Sequence, residues 1–174
     1  MRPGSLGDGL RRLTEDLPAS IDMAEIGVYA GSSTLIFLES GKVKSLLAVD
    51  PWMDELLSWE VKRHNVPMED VYQTFVARVS QKHPQVTAVR KTSGDAAAEA
   101  AAQGRTFDFV YIDGDHSYES CIADIKAWLP LIRPGGVIAG HDHVADFPGV
   151  AKAVAEMFGA PDKLYPDNSW LKRL

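Results

Sequence analysis

The chain is 174 residues long, 45% hydrophobic and 24% charged, a composition that supports a buried core and excludes disordered and fibrous classes. Its 18 Lys and Arg against 24 Asp and Glu leave a formal net charge of −6, and no basic run exceeds two residues, which argues against nucleic acid or an anionic membrane as the principal partner. The single cysteine, Cys121, excludes an intramolecular disulfide and a multi-cysteine zinc site, and no stretch approaches the roughly 18 apolar residues of a membrane helix. A cytoplasmic protein forming one domain over residues 1–174 is expected.

In chain order, short apolar runs rich in β-branched and aromatic residues read as buried strands at 23–29, 45–49, 86–89, 107–112 and 136–140. Helical spacing lies between them. Val71, Tyr72, Phe75, Val76 and Val79 predict a helix over 68–82, and Ile122, Ile125, Leu129 and Ile132 predict another over 117–132. The Ala-rich stretch 95–103 predicts a shorter one, and a last helix is expected over 149–158. Two extended segments, 163–165 and 169–174, flank the turn tripeptide Pro166-Asp167-Asn168. Alternating strands and helices imply a doubly wound, mostly parallel, seven-stranded Rossmann-like α/β sheet closed by an antiparallel C-terminal hairpin. In such sheets ligands sit beyond the carboxyl ends of the strands.

The first strand end, Glu25-Ile26-Gly27-Val28-Tyr29-Ala30-Gly31-Ser32-Ser33, turns on glycines into a helix for which Ser32 or Ser33 is the expected N-cap. The second ends at Asp50, where a carboxylate suits the paired hydroxyls of a ribose. A nucleoside cofactor follows. The glycine spacing does not meet the Gly-x-Gly-x-x-Gly dinucleotide fingerprint, which counts against a nicotinamide cofactor. At the third end, Gly94 and Asp95 are available to a cofactor, and Asp95 serves equally as a helix N-cap. Trp52 is suited either to stacking on a base or to the core.

Charge concentrates at the fourth and fifth ends, Asp113-Gly114-Asp115-His116 and His141-Asp142-His143. Carboxylates and imidazoles converging at neighbouring strand ends are the donor set of a hard or borderline divalent ion. Asp115 is expected to cap the following helix, and His116 is either a general base or a residue of the helix start. His143 has only its neighbourhood to recommend it. Met53, Trp59 and Tyr118 are candidate substrate walls, and residues 52–67 a candidate lid.

The sequence Glu25-x-Gly27-x3-Gly31 followed by Asp50, then DGDHSYE, Asp124 and Trp128, LPLIRPGG, GHDH and PGVAKAV, resembles class I S-adenosylmethionine-dependent methyltransferases. Within these it is similar to the small O-methyltransferase branch with a DGDH…HD signature, shared by macrocin-type sugar O-methyltransferases and cephalosporin-hydroxylase-like proteins. The resemblance spans about residues 22–174. It implies an S-adenosylmethionine site formed by Glu25, Gly27, Gly31, Asp50 and Asp95, to which the reading of the strand ends adds Ser32, Trp52, Gly94 and Asp113 as candidates. It implies, in its metal-dependent members, Mg²⁺ or another divalent cation near Asp113 and Asp142 with His116 as general base; the strand-end cluster adds His141 as a candidate ligand and Asp113 as a candidate catalytic residue. The chain departs from metal-dependent relatives that carry two adjacent acidic or amide ligands where it has His141-Asp142.

The expected reaction is metal-assisted O-methylation of a small hydroxylated molecule, a sugar or natural-product scaffold, with a homo-oligomer allowed by the apolar terminal hairpin. Alternatives are a non-catalytic cofactor-binding or assembly subunit, a nicotinamide-dependent oxidoreductase, and an HD-type phosphohydrolase; the last is disfavoured because His141-Asp142 follows a strand rather than sitting on a helix.

Overall fold

The computed structural model describes residues 6–56 and 66–174. Seven strands form one sheet in the order β3-β2-β1-β4-β5-β7-β6. They are β1 (Ile21–Ile26), β2 (Val43–Val49), β3 (Val86–Val89), β4 (Phe107–Ile112), β5 (Ile132–Gly140), β6 (Lys163–Leu164) and β7 (Trp170–Arg173). The pairs among β1–β5 are parallel, whereas β7 runs antiparallel to both β5 and β6. The predicted sheet and terminal hairpin are therefore present.

Alternate strand residues feed two cores. Met23, Phe109, Tyr111 and Ala139 face α1 (Leu6–Glu15), α2 (Ser32–Glu39) and α3 (Met68–Phe75). Ala24, Val110, Ile112 and Ile138 face α4 (Ser93–Ala102), α5 (Tyr118–Trp128) and α6 (Pro148–Phe158). Both faces of the parallel strands are covered, which is why their sequences read as continuous apolar runs rather than alternating ones. Among the described residues, no helix is long and apolar enough to cross a membrane.

Helix α1 was not foreshadowed by the sequence pattern. Its Leu10 and Leu13 are fully buried, each contributing about 1.5–3 kcal/mol of apolar burial. The Lys42 ammonium donates to the carbonyls of Thr14, Glu15 and Leu17 at 2.8, 3.0 and 2.6 Å, satisfying acceptors around the end of the helix. A second difference lies at β1, which stops at Ile26 rather than Tyr29, because Gly27 and Tyr29 turn into the left-handed region with φ of 82° and 48°. The helix expected over 68–82 is α-helical only to Phe75 and continues as a π-turn over Val76–Ser80.

Strand order reverses between β1 and β4, since β2 and β3 step away from β1 on one side and β4, β5 and the hairpin on the other. The crevice opened by that reversal lies at the carboxyl ends of these strands.

Candidate active site

A cleft of about 890 Å³ occupies this crevice, walled by the turns after β1, β2, β3, β4 and β5. Its floor depends on Gly27. A Cβ there would stand 2.2 Å from the Asp113 carbonyl oxygen, so only glycine lets the β1 turn pass the end of β4. The Asp113 amide in turn donates to the Ile26 carbonyl at 2.8 Å, locking the two strand ends together.

Asp50 ties two turns. Its Oδ2 accepts from the Tyr29 amide at 2.9 Å and its Oδ1 from the Trp52 amide at 2.8 Å, and it lines the cleft. Burial raises its pKa against the opposing pull of these amides. Trp52 does not face the cleft. It is 1% exposed, donates its indole N–H to the Tyr29 carbonyl at 2.9 Å, and packs 4.9 and 5.2 Å from the rings of Tyr72 and Phe75. Of the two roles expected for it, the core one is observed.

Glu25 is also enclosed, at 0% exposure behind the cleft wall, where Ser33 Oγ donates to its Oε1. Burial pushes its carboxyl up to about 7, aided by the charges of Asp113 and Asp50 and opposed by the hydroxyls of Ser33 and Thr34. Neither Ser32 nor Ser33 caps α2. That position is Gly31, whose φ of 82° and whose approach to Val79 and Phe75 exclude a side chain.

At the third strand end the cap of α4 is Thr92 rather than Asp95. Thr92 Oγ1 accepts from the Asp95 amide at 3.3 Å and donates to the Asp95 carboxylate at 2.7 Å, a reciprocal pair that leaves Asp95 exposed and outside the cleft wall. Gly94 is exposed beside it. Ser93 and Asp124 form the wall instead, and Ser93 Oγ accepts from the Trp128 indole N–H at 3.0 Å. Burial pushes the Asp124 carboxyl up to about 6, a rise restrained by Ser93.

The fourth and fifth ends carry the densest chemistry. One donor atom from each of Asp113, His141 and Asp142 lies within 4.8 Å of the others. Asp142, in the left-handed region at φ 59°, presents Oδ2 to His116 Nε2 at 2.8 Å and Oδ1 to His141 Nδ1 at 3.1 Å. His141 Nδ1 is also 3.9 Å from Asp113 Oδ1. Burial draws the His141 pKa down, but the Asp142 hydrogen bond and the Asp113 charge outweigh it and raise it to about 9. Burial pushes Asp113 up to about 6, against the counter-charge of His141. For Asp142 burial is overcome by the two imidazoles, which hold its carboxyl well below the usual range.

The His116 ring packs 4.5 Å from that of Phe147. The cap of α5 is Ser117, which accepts from the Ser120 amide at 3.2 Å and donates to Asp115 at 2.7 Å, so neither Asp115 nor His116 is the cap. His143 donates its amide to the Asn168 carbonyl at 3.0 Å, away from the ligand cluster.

Gly27, Ser32, Asp50, Asp113, His116 and Asp142 thus share one cleft, with Met53 at its rim, while Glu25, Gly31, Trp52, Gly94 and Asp95 stand outside its lining. Tyr118 is turned to Glu156 and Lys152 rather than to the cleft. Trp59 and most of the segment expected to form a lid lie outside the described residues. Ser93 and Asp124 are the wall residues whose place there was not foreseen. The signal for it was weak: a serine at the start of one helix and an aspartate in the middle of another, brought to one cleft only by the fold.

A Rossmann-like sheet with its cleft at the β1/β4 reversal has the layout in which α/β proteins place their ligands. The chain belongs to the methyltransferase domain family, which matches residues 24–143. Two curated relatives, both uncharacterized, are each 25% identical. One, from Acanthamoeba polyphaga mimivirus, is matched over 76% of this chain and 59% of its own length. The other, from Sinorhizobium fredii, is matched over 69% of this chain and 13% of its own length. The chain thus spans only part of the curated proteins it matches.

Among solved structures, an O-methyltransferase from Bacillus cereus in complex with S-adenosylhomocysteine superposes with a TM-score of 0.66 at 18% identity, covering 95% of this chain and 78% of that one. The O-methyltransferase NovP gives 0.62 at 18%, over 96% and 78%. A TDP-rhamnose 3'-O-methyltransferase of calicheamicin biosynthesis gives 0.61 at 19%, over 96% and 76%. At these identities the likeness is one of fold.

Proposed function

We propose that the protein is an S-adenosylmethionine-dependent O-methyltransferase whose acceptor is a hydroxyl of a small molecule, a sugar or natural-product scaffold, and whose reaction is assisted by a divalent cation. The observation that carries this reading is the Asp113, His141 and Asp142 cluster at the ends of β4 and β5, in a crevice whose β2 end presents Asp50. The two carboxylates suit a hard ion such as Mg²⁺ and the imidazole a borderline one, so the set fits a hard or borderline divalent cation. Asp113, His141 and Asp142 would hold the ion, which when bound would supply Lewis acidity toward the acceptor hydroxyl.

The residues supply the rest. Asp50 accepts hydrogen bonds from the ribose hydroxyls, while Gly27 and Ser32 let the chain approach the ligand closely. His116 takes the acceptor's proton, and the Asp142 carboxylate beside it orients the ring and stabilises the imidazolium that forms. The acceptor oxygen bonds to the methyl carbon as the carbon–sulfur bond breaks, the bonding pair staying on sulfur; holding the three atoms in line is the main demand on the protein.

Calorimetric titration with S-adenosylhomocysteine, in Mg²⁺ and again in chelator with NAD as control, tests the cofactor, and a screen of hydroxylated acceptors tests the reaction. Binding of the homocysteine compound but not NAD, with methyl transfer lost in chelator, is expected. Transfer unaffected by chelator and by His116→Ala would remove the metal-assisted mechanism. Failure to bind either ligand would favour a non-catalytic assembly role.

A further inference from the structure

A second polar cluster lies behind the proposed cation site, on the α1 face of the sheet, and the proposed chemistry does not use it. The ladder between β4 and β5 runs one step past the strands, the His141 amide donating to the Ile112 carbonyl at 3.1 Å. Side chains alternate across a sheet, so His141 falls on the face of Tyr111 and Ala139, which belong to the core beneath α1. On β7, Trp170 pairs with Gly140, and Ser169 stands just before Trp170 as His141 stands just after Gly140. Ser169 Oγ lies 3.3 Å from the Tyr111 hydroxyl, which puts it on that same face.

Asp167, in the hairpin turn, completes the cluster. Its Oδ1 accepts from the Ser169 amide at 3.1 Å, and the residue is 4% exposed. Helix α1 closes over it at Gly9, where an added Cβ would collide with the Asp167 carboxyl group. Among the described residues, neither Asp167 Oδ2 nor His141 Nε2 has a hydrogen-bond partner, and both atoms are shielded from solvent. Burial lowers the His141 pKa while the Asp142 hydrogen bond and the charges of Asp113, Asp142 and Asp167 raise it, so the field of Asp167 reaches the ring. A buried carboxylate oxygen left unpaired opposes folding, and this one is an acceptor on the same face as an imidazole nitrogen able to donate.

The other ring nitrogen decides where the imidazole proton goes. His141 Nδ1 is turned to the acids, 3.1 Å from Asp142 Oδ1 and 3.9 Å from Asp113 Oδ1. A neutral imidazole carries one proton, so a ring that offers its Nδ1 lone pair to a cation holds that proton on Nε2. Resting on the cation reading above, we propose that Asp167 is a positioning residue of that site: its Oδ2 accepts the Nε2–H of His141 in the cation-loaded protein, fixing the ring with Nδ1 toward Asp113 and Asp142. Asp167 does not line the cleft and acts only through the imidazole. The terminal hairpin and α1, which hold Asp167 in place, thereby become parts of the site.

The test is calorimetric titration of the full chain with Mn²⁺, for the wild type and for Asp167→Asn, with S-adenosylhomocysteine titrated in chelator as the control. The carboxamide keeps the volume and one oxygen for the Ser169 amide but turns an NH₂ toward the imidazole. Mn²⁺ affinity is expected to fall about ten- to hundredfold, the usual effect of removing a carboxylate behind a metal-bound histidine, while S-adenosylhomocysteine affinity stays within about threefold. In saturating Mg²⁺, wild-type protein labelled with ¹⁵N-histidine should show the His141 Nε2–H as a downfield proton protected from exchange, assigned by its loss in His141→Gln. In Asp167→Asn that proton should move upfield and exchange faster. Equal Mn²⁺ affinities, or a wild type without the protected Nε2–H, overturn the assignment and leave the cation reading intact. Mn²⁺ and S-adenosylhomocysteine affinities lost in step would mark Asp167 as a support of the whole cleft and overturn it as well. If Asp167→Asn does not fold, the wild-type spectrum decides. Wild-type protein that binds no divalent cation removes the cation reading and this assignment together.

Discussion

The Asp142 carboxylate meets the His116 imidazole at 2.8 Å, Oδ2 to Nε2, while its other oxygen faces His141. One residue therefore serves both the proposed base and the proposed cation site, each through its own oxygen. Asp142→Asn keeps the shape but puts an amide where one of two accepting oxygens stood. Methyl transfer should fall by about 10²–10⁴, the usual contribution of a positioned general base, while S-adenosylhomocysteine affinity changes little. His116→Ala should lose a similar factor. Rate measurements beside calorimetry separate the two quantities, and loss of binding in step with rate would indicate that Asp142 supports the cleft rather than the proton transfer.

Gly27 is expected to be irreplaceable for a steric reason. Alanine there needs a φ of 82° and sets its Cβ 2.2 Å from the Asp113 carbonyl oxygen, a backbone atom that cannot rotate away. Gly27→Ala should cost more than the roughly 1–3 kcal/mol of left-handed strain alone and abolish ligand binding. Gly135→Ala is the control: its φ is 78°, but nothing lies within 4 Å of the added carbon, so a cost of about 1 kcal/mol is expected. Comparable losses at the two positions in urea unfolding would mean that the β1 turn can shift.

The strand pattern was legible because each parallel strand is covered on both faces and so reads as an unbroken apolar run; 86–89 and 107–112 coincide with β3 and β4. Asp113, His116 and Asp142 were legible because polar residues placed directly after such runs fall together at one sheet edge. What could not be read depends on distant partners. Helix α1 is secured by Leu10 and Leu13 in the core and by the Lys42 ammonium, none of it local. The caps were misplaced because Thr92 and Ser117 precede the acids Asp95 and Asp115 or follow them by only a few residues, and sequence does not say which oxygen the amides find. Trp52 follows Asp50 closely, yet its φ of 43° turns the indole away from the cleft and into the α3 core.

Trp52 should accordingly behave as a packing residue. Trp52→Ala is expected to destabilise the fold by about 3–5 kcal/mol, the range for deleting a buried large aromatic. Trp52→Phe keeps most of the volume but strands the Tyr29 carbonyl that the indole N–H now satisfies, and should cost about 1–3 kcal/mol. Chemical denaturation measures both. A folded Trp52→Phe protein should still bind S-adenosylhomocysteine within a few-fold of wild type, and a hundredfold loss would restore a stacking role.

Glu25 gives the protein a pH-dependent stability. Its carboxyl, ordinarily near 4.5, is pushed up to about 7 in the folded chain, chiefly by burial. Because the folded value lies above the unfolded one, the native state holds the proton more tightly. The stabilisation from that retained proton is complete below about 4.5 and is lost as pH rises through 7. Above that range the folded protein carries an ionised carboxylate shielded from water, with Asp113 and Asp50 adding like charge. Glu25→Gln retains an oxygen to accept from Ser33 and cannot ionise. The ligand-free variant should therefore be more stable than wild type at pH 8, by an amount on the order of 3 kcal/mol at most, with the gap closing toward pH 5. Urea unfolding of both proteins at pH 5, 7 and 8 measures the gap, and a difference that stayed constant across this range would mean that Glu25 does not change its protonation there.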